Sequence, residues 1–149
     1  MAEKKYTPMM QHYLKMKEEN PDSILFYRLG DFYEMFFEDA KLVSQELDLV
    51  LTGRSAGVEE KVPMCGIPFH AANSYIQRLV KKGYKVAICE QLEDPSSAKG
   101  LVDRGIIKII TPGTYMDATM DAKSTNYMAS CDVSSFEITV IYCELSTGE

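Results

Sequence analysis

The chain has 149 residues, 46% apolar and 26% charged, with a formal net charge of −6. That length suits one domain or a domain with part of another, and the apolar share is too high for a disordered chain. No apolar run approaches the roughly 20 residues of a membrane-spanning helix, and "MAEKKYTPMM" has no apolar segment after its charges, so a soluble, cytoplasmic chain with no membrane partner is expected.

"TPMMQHYLKMKEENP" predicts a first helix, with Thr7 as its cap, Pro8 at its first position and "NP" stopping it near Asn20. "SILFYRLG" (23–30) reads as a buried strand, "GD" as a tight turn and "FYEMF" as a second strand, which together make a hairpin. "EDAKLVSQEL" predicts a short helix with Ala40, Val43 and Leu47 on one face. "LVLTGRSAGVEEKVPMCGIPFH" (49–70) reads as a strand, a polar excursion, and an extended segment broken by Pro63 and Pro68. "AANSYIQRLVKKGY" predicts a helix that turns Tyr75, Ile76, Leu79 and Val80 inward and ends at Gly83. "KVAICEQL" (85–92) is a strand, "EDPSSAKG" a loop, and "GIIKIITPGT" (105–114) a β-branched strand stopped by "PG".

This order predicts an α/β domain over residues 1–114, its sheet made mixed by the hairpin and flanked by helices. Residues 115–126 are polar and aperiodic and read as a linker. Residues 127–149 read as a β-hairpin turning near Ser134 and Ser135, the truncated start of a second domain, because a lone two-stranded hairpin is marginal.

Charge is divided unevenly. Residues 115–149 hold six acidic groups against one basic, whereas residues 1–114 hold 16 against 15, so the N-terminal part is near neutral. It lacks the broad basic field that would bind DNA strongly by itself. Cys65, Cys89, Cys131 and Cys143 match neither a zinc spacing nor a CxxC pair and read as free thiols, with no metal site expected.

The stretch "GDFYEMF" carries the chemistry. Period-two alternation puts Phe32, Glu34 and Phe36 on one face and Tyr33, Met35 and Phe37 on the other. If the second face meets the core, Phe32 and Glu34 project side by side just after a turn. An aromatic there can wedge into a base stack, and the neighbouring carboxylate can accept a hydrogen bond from a base edge. Phosphates would repel that carboxylate, so it fits DNA only by reading a base or by being protonated in the complex. Periodicity alone fits a core Phe32 and a solvated Glu34 better, because an F-x-E triplet by itself is a weak signal.

The segments "TPMMQHYL", "LFYRLGDFYEMFFEDA", "LTGR", "PMCGIPFHA", "YIQRLVKKGYKVAICEQLEDP" and "TPGT" occur in order. Together they resemble the N-terminal mismatch-recognition domain of the MutS family of bacterial DNA mismatch repair proteins, over roughly residues 7–114, and "LSTGE" resembles the start of that family's connector domain. The resemblance implies that Phe32 stacks on a mispaired or unpaired base from the minor groove and that Glu34 hydrogen-bonds it. It implies mismatched double-stranded DNA as partner, kinked by a homodimer in which one subunit inserts the ring, and ATP with Mg as cofactors of the full-length protein only. It departs at Phe69, where relatives often carry Tyr. The phosphate-binding loop of the ATPase, the lever, the clamp and the dimerisation region have no counterpart here, so the chain reads as a non-enzymatic fragment without cofactor.

Further DNA contacts are considered at Arg54, Lys61, Met64, Pro68, His70 and Arg78, although Arg54 and Lys61 read first as solvated charges, Met64, Pro68 and His70 as readily as core or turn residues, and Arg78 first as part of a basic helix-end cluster. Lys81 and Lys82 suit a helix C-terminus, and Arg28 reads as an internal ion-pair partner. The pairs Glu38–Asp39 and Glu93–Asp94 read as caps or loop charges. Two alternatives compete with mismatch recognition. One is a metal-dependent nuclease-like domain using Asp31, Glu34 and Glu90, and the other is a protein-interaction module engaging the face around Phe32 and Phe36.

Overall fold

The computed structural model describes residues 6–93, 102–113 and 127–144. Its elements run α1 (Pro8–Glu19), β1 (Ser23–Leu29), β2 (Phe32–Phe36), α2 (Phe37–Leu47), β3 (Thr52–Arg54), β4 (Val62–Pro68), a 3-10 turn (Phe69–Ala71), α3 (Ala72–Lys81), β5 (Lys85–Gln91), β6 (Arg104–Ile110), β7 (Tyr127–Val133) and β8 (Ile138–Glu144). The first six strands form one sheet in the order β3-β4-β2-β1-β5-β6, and β7 pairs with β8 separately. Only β1 and β5 run parallel, so the mixed α/β architecture expected from the hairpin is the one observed. All but Glu93 of the loop at 93–100, the linker at 115–126 and the terminal "LSTGE" lie outside the described residues.

Local chemistry sets the element ends. The Thr7 hydroxyl accepts from the Met10 N–H at 3.4 Å, and Pro8 begins α1. Gly30, at φ 57°, makes the two-residue turn that leaves Leu29 opposite Phe32. Gly83, at φ 94°, closes α3 while the Tyr84 N–H reaches the Leu79 carbonyl at 3.1 Å.

Each face of the sheet buries its own cluster. Ile24, Phe26, Tyr33, Met35, Cys65, Ile67, Val86 and Ile88 pack with residues of α2 and α3. On the other face Leu25, Tyr27, Phe36, Ala87 and Cys89 pack with Met10 and Tyr13 of α1. The edges of Tyr13 and Phe36 meet at 4.9 Å between ring centroids.

Four expectations need correction. Phe36 does not project outward with Phe32 but is 1% exposed beneath Tyr13, because α1 covers that end of the face. Phe37 does not continue the Tyr33–Met35 side. Its φ of 53° breaks the alternation and turns its ring into the α1 cluster, 6.0 Å from Tyr6. Asp39 lies in the first turn of α2, near the helix start, but it is neither a cap nor a loop charge. It is buried, accepting from the Leu25 N–H at 2.9 Å and pairing with Lys17 at 2.9 Å. Pro63 and Pro68 do not break β4. Beyond Met64 the strand pairs only with β3, which frees the position of Pro63 from a second ladder, and Pro68 ends the strand.

Candidate nucleic-acid interface

Phe32 opens β2 directly after the turn and is 47% exposed, because α1 covers the Phe36 end of the face and leaves this end open. The turn itself is fastened from both sides. The Phe69 N–H donates to the Asp31 carbonyl at 2.9 Å, and the Arg28 Nε donates to the Gly30 carbonyl at 2.5 Å. The Arg28 guanidinium lies 3.7 Å from the centre of the Phe69 ring and pairs with Glu90 at 3.2 Å, so its reading as an ion-pair partner holds. Tyr33 donates its hydroxyl to the same Glu90 carboxylate. Burial, reinforced by that hydrogen bond, pushes the Tyr33 hydroxyl up to about 12. The backbone that carries the Phe32 ring is thus fixed before any ligand arrives.

Glu34 lies on the same face as Phe32, opposite Gly66 of β4, and its carboxylate accepts from the Arg54 guanidinium. An open groove of about 460 Å³ runs beside the pair, lined by Phe32, Glu34, Val50, Thr52, Met64 and Gly66 among others. Its walls are largely apolar, with one carboxylate and one hydroxyl as polar markers, the composition of a surface that can hold a flat ring and read its edge.

The expected contacts divide. Met64 joins Phe32 and Glu34 at the groove, Arg54 pairs with Glu34, and Pro68 stands opposite Phe32. His70 is exposed in the 3-10 turn, with its ring centroid 6.0 Å from that of Phe69. Lys61 is exposed, and its stem crosses Gly53 so closely that a Cβ there would lie 2.9 Å from the Lys61 Cβ. Arg78 is exposed on α3, the helix that packs on the opposite face. Lys82 pairs with Glu46 at 2.5 Å. The carboxylates of the nuclease alternative do not converge: Asp31 is in the turn, Glu34 pairs with Arg54, and Glu90 pairs with Arg28 alongside Tyr33, whose ring packs on the opposite face. Sequence reasoning missed Val50, Thr52 and Gly66. The only signal for Thr52 was its period-two spacing from Arg54; Val50 and Gly66 left none.

The fold and site define a mixed α/β domain that offers an aromatic ring and a carboxylate at the uncovered end of one sheet face. The profile of MutS domain I matches residues 7–119, and the chain belongs to that family. It is 62% identical over 144 residues to the DNA mismatch repair protein MutS of Clostridium botulinum (strain Loch Maree / Type A3), covering 96% of this chain and 16% of that protein. It is 58% identical over 146 residues to the protein of the same name from Clostridium tetani (strain Massachusetts / E88), covering 97% of this chain and 17% of that protein. The chain thus spans about a sixth of the length of these relatives.

Proposed function

We propose that this chain is the mismatch-recognition module of a DNA mismatch repair protein, with Phe32 as the wedge that stacks on a mispaired base and Glu34 as the acceptor for that base's edge. The supporting observation is the exposed Phe32 ring on a pinned turn, sharing a face and a groove with Glu34, in a member of the MutS domain I family. A mispaired step unstacks and bends at lower cost than a paired one, so a rigid ring that must enter the stack converts that difference into selectivity. Arg54, Lys61, Met64, Pro68 and His70 are the further residues that would meet backbone or groove atoms; Pro68 lies opposite Phe32, Met64 lines the same groove and Arg54 pairs with Glu34. Arg78, on the helix of the other face, takes part only if DNA wraps past the sheet edge.

In the parent protein this module, residues 1–114, is followed by a linker at 115–126 and the start of a connector at 127–149. ATP hydrolysis with Mg, dimerisation and DNA clamping belong to other domains of that cytoplasmic protein, and this chain contributes recognition rather than catalysis. The test is the affinity of a full-length protein carrying this domain for duplex with one G·T mispair against the fully paired duplex. Phe32→Ala is expected to bring the two affinities to within about twofold of each other. Discrimination that survives the substitution overturns the assignment.

A further inference from the structure

Glu34 is the discordant member of a surface meant to meet a polyanion. A carboxylate carried toward phosphates is repelled, and the repulsion grows as water is squeezed out. Its side chain is only 14% exposed, so little water remains to disperse the charge. The group that answers it is Arg54, reaching from β3 and still 36% exposed. Register makes the pairing possible. Glu34 stands opposite Gly66 and Arg54 opposite Val62, so both side chains flank β4 on one face. Gly66 leaves its own position bare, and a Cβ there would lie 3.5 Å from the Glu34 Cγ. Among the described residues, Arg54 is the cation in ion pairing with Glu34.

We propose that Arg54 is a positioning residue for Glu34: it travels onto DNA paired with Glu34 as one neutral unit, so that the carboxylate reaches a base edge without repulsion from the backbone. The inference rests on the reading of Phe32 and Glu34 given above. The pair also fixes the rotamer of Glu34, so its acceptor oxygens are aimed before DNA arrives. An Arg54 that merely clamps phosphate would act independently of Glu34, and that difference is measurable.

Four full-length proteins carrying this domain decide it: unchanged, Arg54→Ala, Glu34→Gln and the double variant. Dissociation constants are measured for a duplex with one G·T mispair, well below the lowest melting midpoint, with thermal melts of all four in parallel. Arg54→Ala alone is expected to weaken binding about tenfold, whereas in the Glu34→Gln background the same change costs no more than about twofold, because no charge remains to be screened. Equal losses in the two backgrounds would overturn the proposal and leave Arg54 an independent phosphate contact. Coupling seen only in the melts, with unchanged affinities, would overturn it too and make the pair purely structural. Phe32→Ala is measured alongside as the ratio of mismatched to paired affinity. A surviving ratio defeats the underlying reading of the wedge, whereas a collapsed ratio with additive Arg54 and Glu34 effects defeats only the role given to Arg54.

Discussion

At the residue scale, the side chains that hold the structure and those proposed to meet DNA are separate. Asp39 is the clearest structural group: its buried carboxylate serves the Leu25 N–H, the Tyr13 hydroxyl and the half-buried Lys17 ammonium. Asp39→Ala strands these donors and is expected to cost about 3 kcal/mol in urea unfolding, and a loss under about 1 kcal/mol would contradict the account. The thiols divide in the same way. Burial pushes Cys65 up to about 12 and Cys89 to about 11 from an ordinary 9.0, whereas Cys131 is exposed and Cys143 half-buried. A thiol reagent at pH 8 is therefore expected to label Cys131 and Cys143 in the native chain, and Cys65 and Cys89 only on unfolding. The folded state keeps the Cys65 and Cys89 protons that the unfolded chain loses, so stability should fall as pH rises above 9 toward about 12. The shared face of Phe32 and Glu34 was legible in the sequence because strand alternation is a two-residue property. The Arg54 partner was not, since it depends on the register of β2 and β3 against β4, which no short window contains. Nor was the burial of Phe36, which depends on a helix that begins more than twenty residues earlier.

At the element scale, the wedge proposed at Phe32 depends on a hairpin whose turn is a single glycine in the left-handed region followed by Asp31. A Cβ at Gly30 would meet nothing within 4 Å, so Gly30→Ala carries only the backbone penalty of its φ of 57°. The expected loss is about 1 kcal/mol in urea unfolding, with the mismatch preference kept. A loss well above about 3 kcal/mol would mean that the turn is under more constraint than its contacts indicate. The ends of α1 and α3 were legible because Thr7, Pro8 and Gly83 act locally. The β3–β4 segment was less so. Leu49, Val50 and Leu51 look like strand by composition, yet the ladder starts at Thr52, and Val50 and Leu51 are left exposed beside the groove. There tertiary pairing overrides local propensity.

At the scale of the whole molecule, the six-stranded sheet and the β7–β8 hairpin differ in how much they bury. β1 and β5 lie at the centre of the sheet with most residues enclosed, whereas every described residue of β7 and most of β8 is exposed, including Val133, Ile138, Ile141 and Tyr142. Amides of β1 and β5 are therefore expected to exchange with deuterium only through global unfolding, and those of β7 and β8 orders of magnitude faster in the isolated chain. Equal protection would show that the hairpin is stabilised by contacts outside the described residues. The fold class was legible from element order and the tight hairpin turn. The strand order was not, because placing β5 beside β1 and β4 beside β2 is a choice among long-range pairings that alternation leaves open.

The claim that Phe32 enters the base stack at a mispair is tested most directly by replacing Phe32 with a photoreactive benzoyl-phenylalanine in the full-length protein and irradiating it on duplex containing one G·T mispair. The account predicts crosslinks concentrated at the mispaired nucleotides and largely absent from the fully paired duplex. Crosslinks spread evenly along the duplex, or equal in yield with and without the mispair, would contradict it.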